Sequence, residues 1–136
     1  MANLNVALVF VGGGAGSLAR YGLAQLLNKE LTKSASTLSA NFGNFPVATF
    51  FANIAACVVL GIVAVLATKG IVNAQTRLLL ITGFCGGFST FSTFSNETLL
   101  LIQQGKLGIA GLYATSSLFC CLFGVWLGNI FAEAII

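Results

Sequence analysis

Four long apolar stretches alternate with shorter polar ones along the chain. The runs from Leu4 to Leu27, Phe45 to Ala67, Arg77 to Ile102 and Leu107 to Ile130 each satisfy the ~20 apolar residues that a helix needs to cross a bilayer core. The pattern predicts an all-α membrane protein, a single four-helix transmembrane domain over residues 1–136. Between the first two runs, Asn28 to Asn44 reads as an extramembrane loop, polar and carrying Lys29, Glu30 and Lys33. The connection from Thr68 to Gln75 is short and holds Lys69.

The third run contains an interruption. From Gly83 to Glu97 the chain reads Gly-Phe-Cys-Gly-Gly-Phe-Ser-Thr-Phe-Ser-Thr-Phe-Ser-Asn-Glu, a costly composition for hydrocarbon. Gly83, Gly86 and Gly87 predict a break near the middle of this helix, from Gly83 to Ser89, because glycine is weakly committed to helix. A break frees carbonyls at membrane depth, and freed carbonyls need a partner. A monovalent cation is the natural one, since Glu97 is the only carboxylate at hand for a divalent site. Beyond the break, Phe88, Phe91 and Phe94 recur at every third position among Ser and Thr. Ring edges are electropositive, so with hydroxyl donors they can replace water around a small anion. The plainer alternative is that the rings face lipid while Ser and Thr satisfy the broken backbone.

The other spans carry few polar residues. In the first, Gly12 to Gly16 form a Gly-x-x-x-Gly surface suited to close helix packing. Arg20 follows, and either snorkels to the interface or faces a polar cavity. In the second, Thr49 and Asn53 share a face, and an amide in hydrocarbon needs partners. In the fourth, Tyr113, Ser117 and Cys121 succeed one another at spacings of four, and Trp126 suits an interfacial anchor.

Composition narrows the function. At 57% hydrophobic, 7% charged and a mean hydropathy of +0.98, the chain has almost no material for a water-facing surface. Apolar runs recur to the last residue, which argues against a signal peptide ahead of a soluble domain. A net charge of +3, dispersed along the chain, does not make a nucleic-acid surface. With no His and no Asp, the usual zinc sites and a Ser-His-Asp triad are excluded, and Glu30, Glu97 and Glu133 have no base to pair with. Cys57, Cys85, Cys120 and Cys121 lie in apolar runs without a Cys-x-x-Cys spacing and read as small hydrophobes.

Charge hardly selects an orientation. Lys69 and Arg77 fall on one side of the membrane, against Lys29, Lys33 and Lys106 on the other. A chain that inserts both ways can pair with an inverted copy about a two-fold axis in the membrane plane.

The segment from Gly83 to Glu97 resembles the signature of the CrcB/Fluc family of small fluoride channels. Agreement extends to the Gly-rich first span ending in Arg20-Tyr21, to Thr49 and Asn53, and to the four-helix layout of almost the whole chain. The resemblance implies a dual-topology antiparallel homodimer in a bacterial plasma membrane, with two fluoride pores and a structural sodium ion at the centre of the interface. It implies that main-chain carbonyls of Gly86 and Ser89 hold the sodium, and that Asn53 donates to fluoride. Phe91 and Phe94 would line the pores, with Thr93, Tyr113 and Ser117 on a polar track, Glu97 a pore-associated acid and Arg20 a vestibule cation. Departures from the family pattern are Ser89 in place of Thr, Ala48 and Phe50 beside Thr49, Ala56 after Asn53, and Cys121 where the track commonly has Ser. A carbonyl ligand is indifferent to the first, whereas a thiol is a weak donor.

The expected function is passive fluoride export. Hydrogen fluoride enters uncharged and dissociates in a neutral cytoplasm, and an inside-negative potential drives the anion out by about 2.3 kcal/mol per 100 mV. The chain has no phosphate-binding Gly-x-x-x-x-Gly-Lys-Ser/Thr motif. A small proton-coupled four-helix exporter is one alternative, but it would want a carboxylate in its first span, where Arg20 stands. A structural membrane subunit is the other.

Overall fold

The computed structural model describes residues 2–33 and 45–136. Helix α1 is Ala2–Lys33 and α2 is Val47–Thr68. Helix α3, residues 74–88, joins a short α-helical start at Ala74–Arg77, a wide π-helical stretch at Leu78–Cys85 and a last turn at Gly86–Phe88. Helix α4 is Phe91–Gln103 and α5 is Leu107–Ile135. Four spans are long and apolar enough to cross a membrane, with α3 and α4 sharing the third. The chain is therefore an all-α, multi-pass membrane protein with its third span broken.

Local chemistry starts and stops these helices. Asn73 caps α3 by accepting from Thr76 N at 2.8 Å, and Thr90 caps α4 by accepting from Thr93 N at 3.2 Å. Gly70 and Gly105 take φ +73 just past the ends of α2 and α4, where a side chain would be strained. The first and last helices run past the ends predicted from hydropathy, Leu27 and Ile130. At about 1.5 Å per residue, α1 is longer than the ~30 Å hydrocarbon core, and it takes up the first part of the expected Asn28–Asn44 loop. A membrane boundary does not end a helix, and residues 28–33 include neither Gly nor Pro to do so. Residues 34–44 of that loop lie outside the described ones.

Two glycine seams hold the bundle. A Cβ at Gly12 would fall on the carbonyl of Leu79, one at Gly16 on that of Phe84, and one at Gly87 on that of Gly13. On the second seam, a Cβ at Gly61 would fall on the carbonyl of Val125, and one at Gly128 on that of Val58. Gly12 meets Leu79 and Gly83 while Gly16 meets Phe84 and Phe88, and Gly124 meets Ile54 and Cys57 while Gly128 meets Val58 and Ile62, so α1 lies parallel to α3 and α2 parallel to α5. Backbones this close gain dispersion and weak Cα–H···O contacts, the packing available where lipid removes the hydrophobic drive between helices. The exposed surface is correspondingly large and apolar, as at Phe10, Leu18, Leu118, Phe119 and Trp126. The Gly-x-x-x-Gly of the first span is thus a packing seam.

The break falls at the far end of the expected Gly83–Ser89 stretch, past the glycines themselves. Gly83, Gly86 and Gly87 are all helical, and the chain leaves helix only at Ser89 (φ -80, ψ 157) and Thr90 (φ -152, ψ 109). The physical reason is the seam. Gly83 and Gly87 face α1 at contact distance, so their lack of a side chain serves packing.

Candidate functional site

Stopping α3 at Phe88 leaves its last carbonyls without helical donors at membrane depth. The Cys85 carbonyl accepts from Ser89 N at 2.9 Å and Ser89 Oγ at 2.8 Å. That of Gly87 accepts from Arg20 Nε at 3.3 Å and Ser17 Oγ at 3.5 Å. Of the two placements open to Arg20, the inward one is taken, with a cation at a helix C-terminus where the dipole favours it. The carbonyls of Gly86, Phe88 and Ser89 find no donor among the described residues. Gly86 and Ser89 are the two expected to hold a cation, and their oxygens are available for it. No cluster of three or more His, Cys, Asp or Glu suits a metal among the described residues, so a cation here would depend on main-chain oxygen.

Across the break, α4 presents its amino end. Asn53 Oδ1 accepts from Thr90 N at 2.8 Å, which ties α2 to the break and orients the amide. Its Nδ2 then has no acceptor among the described residues, and two N–H donors are left over. Thr90 Oγ1 lies 2.9 Å from Thr93 Oγ1, so Thr93 stands on the same cap.

One and a half turns along α4, Glu97 joins three helices. Its Oε1 accepts from Thr49 Oγ1 and its Oε2 from Tyr113 OH, both at 2.8 Å. Thr49 and Tyr113 are buried, Tyr113 completely, so this carboxylate is held by donors that can turn to little else. Rings surround it. Phe94 lies 5.1 Å from Tyr113 and 5.7 Å from Phe91, and Phe45 meets Tyr113 edge-on at 5.2 Å. Phe91 is 80% exposed at the outer end of this row. Phe88 is not part of it and instead stacks on Phe84.

One turn beyond Tyr113, Ser117 is 7% exposed and its Oγ has no hydrogen-bond partner. An orphan hydroxyl in a buried position is costly and aims at a ligand or water. Cys121, a further turn on, is half-buried.

The structure thus gathers Asn53, Thr93, Phe94, Glu97 and Tyr113 around the start of α4. Ser117 lies one turn further along α5, Phe91 at the rim, and Arg20 on the α1 side of the break. Sequence reasoning missed Thr90, whose N–H and hydroxyl organise the cap, and Ser17, which shares the Gly87 carbonyl with Arg20. It also missed Asn129, whose buried Oδ1 has no partner. The signal for Asn129 was present, because two more steps of four from Cys121 reach it.

Apolar spans enclosing a broken helix, free carbonyls on one side of the break and free donors on the other define a small helical membrane protein with unpaired polar groups at membrane depth. The family described as CrcB-like protein, Camphor Resistance (CrcB), matches residues 7–129, and the chain belongs to that family. It is similar to the fluoride-specific ion channel FluC of Methylobacillus flagellatus, 43% identical with 90% of each chain covered. Similar too are the FluC proteins of Thermus thermophilus, at 40% identity with 95% of each covered, and of Pyrococcus furiosus, at 41% with 94% of this chain and 95% of the relative covered. These relatives are named as channels, and the family is one of channels, not enzymes.

Proposed function

We propose that the chain is a fluoride-selective passive channel that lowers cytoplasmic fluoride, acting as an antiparallel dual-topology homodimer with two pores in a bacterial plasma membrane. The observation that carries this is the division of labour in Asn53. Its oxygen is committed to Thr90 N, so its amide protons are turned away from the backbone and left for an acceptor. Fluoride is the smallest halide and the strongest hydrogen-bond acceptor among them. It would be stripped of water between these protons, the Ser117 hydroxyl and the ring edges of Phe91 and Phe94. Among the described residues no fixed cation stands beside these groups to trap it. Thr93 and Tyr113 continue the polar line, and Glu97 anchors the Tyr113 and Thr49 hydroxyls. Arg20, beside the break, would raise anion concentration at a vestibule.

The carbonyls of Gly86 and Ser89 would hold a structural sodium ion where two copies meet, because one chain supplies too few oxygens to surround it. Sodium there would offset the dipoles of carbonyls that no donor reaches. A proton-coupled exporter receives no support from the first span, which offers Arg20 and no carboxylate. A purely structural subunit would leave the Asn53 and Ser117 donors without purpose.

Phe91→Ile and Phe94→Ile test the ring wall. Each keeps apolar bulk but removes the electropositive edge, and each is expected to slow fluoride efflux from liposomes about tenfold, the effect of ~1.4 kcal/mol on a barrier. Size-exclusion chromatography should find the assembly unchanged. Full flux in both variants would return the rings to packing.

A further inference from the structure

One turn beyond the proposed anion donors, two cysteines flank the α2/α5 seam. Cys57 follows Asn53 by four residues on α2, and Cys121 follows Ser117 by four on α5, so each lies on the same face as its donor. The two helices run parallel in contact there. Cys57 Cβ is 3.4 Å from the point where a side chain on Gly124 would begin, and Gly124 is three residues from Cys121 on α5. Cys57 and Cys121 therefore stand within about one turn of each other across this contact, and Cys85, on α3, is buried. All are free and unoxidised. Cys120 is about 100° further round α5.

We propose that Cys57 and Cys121 form a binding site for a soft, thiophilic metal cation that takes two sulfur ligands in line, and that its occupancy closes the anion path beside it. Soft sulfur ligands select soft metals, whereas the hard carbonyl oxygens at the break suit sodium, so the two sites do not compete. Mercuric chloride is the suitable probe because the neutral molecule crosses hydrocarbon. Two S–H bonds and two Hg–Cl bonds break, two Hg–S bonds form, and two protons leave with two chloride ions. No change of oxidation state occurs. The product fastens α2 to α5 one turn from Asn53 and Ser117 and fills the space between them with a large neutral group. The closing of the path rests on the fluoride reading above, whereas the binding does not.

The test reconstitutes the full-length protein in liposomes and exposes it to mercuric chloride. Excess metal is removed with a monothiol competitor, and mercury per chain is counted beside fluoride efflux. The unsubstituted protein is expected to keep about one mercury per chain, as a two-coordinate dithiolate should. Cys57→Ser and Cys121→Ser are each expected to lose it, and Cys120→Ser to keep it. Efflux in the unsubstituted protein should fall about tenfold on treatment, and the double variant, compared with its own untreated rate, should not respond. Equal retention by the double variant would overturn the site. So would loss in Cys85→Ser with retention in Cys121→Ser, which would move the ligand pair to Cys57 and Cys85. Retention with unchanged efflux would overturn the closing of the path. Failure of untreated protein to pass fluoride would contradict the fluoride reading alone, because retention still decides the site.

Discussion

Asn53→Asp is expected to abolish fluoride passage while leaving the fold in place. The carboxylate keeps an oxygen for Thr90 N, now 2.8 Å from Asn53 Oδ1, so the break between α3 and α4 retains its tie to α2. The substitution removes the two free amide protons and puts a negative charge where an anion must pass. At about 4 Å and an effective dielectric near 20, two like charges repel by roughly 4 kcal/mol. With a tenfold change for each ~1.4 kcal/mol, flux should fall by about a thousandfold. Asn53→Ala separates the two roles of the side chain. It leaves Thr90 N unpaired at membrane depth, a loss of about 1–3 kcal/mol, and so should weaken thermal stability where Asn53→Asp does not. Fluoride-electrode traces and thermal unfolding in detergent read the two effects. Normal flux in Asn53→Asp would remove Asn53 from the path.

Gly16→Leu is expected to prevent assembly of the bundle. A Cβ there would land on the Phe84 carbonyl and stand 2.8 Å from Phe88 N. Both neighbours are backbone and neither can swing aside. Overpacking a core costs about 1–3 kcal/mol when side chains can adjust, and here α1 must move off α3 altogether. That movement also breaks the Ser17 and Arg20 contacts with the Gly87 carbonyl, which leaves a fourth carbonyl at the break without a donor. Gly108→Ala is the control, since nothing lies within 4 Å of that position. A monodisperse chromatographic peak for Gly108→Ala and aggregate for Gly16→Leu is the expected pair of results. A monodisperse, fully stable Gly16→Leu would contradict the seam.

Much of this architecture was legible in the sequence because hydropathy over twenty residues is a strong signal in a membrane protein. The four spans follow from it directly. Where helices end does not, because Lys29 and Lys33 are unfavourable in lipid yet acceptable in helix, and α1 runs through both. The break was legible, but the role of the glycines in it was not. Glycine clusters permit either backbone distortion or close approach, and only the arrangement of α1 against α3 decides between them. Side-chain spacing was the better guide to the site. Thr49 and Asn53 share a face and both reach the third span, one through Glu97 and the other through Thr90. The bridging role of Glu97 was not legible, since its two donors come from two other helices, 48 and 16 residues away. Nor was the parting of Phe88 from Phe91, which the extended residues Ser89 and Thr90 bring about.

Anion release from liposomes separates a fluoride channel from a non-selective or silent protein. Purified protein, reconstituted with fluoride or chloride inside and no ATP or proton gradient, is followed with ion-selective electrodes after a potassium ionophore is added to balance charge. Rapid release of fluoride and retention of chloride are expected. Equal release of both anions, or release of neither, would contradict the proposed function.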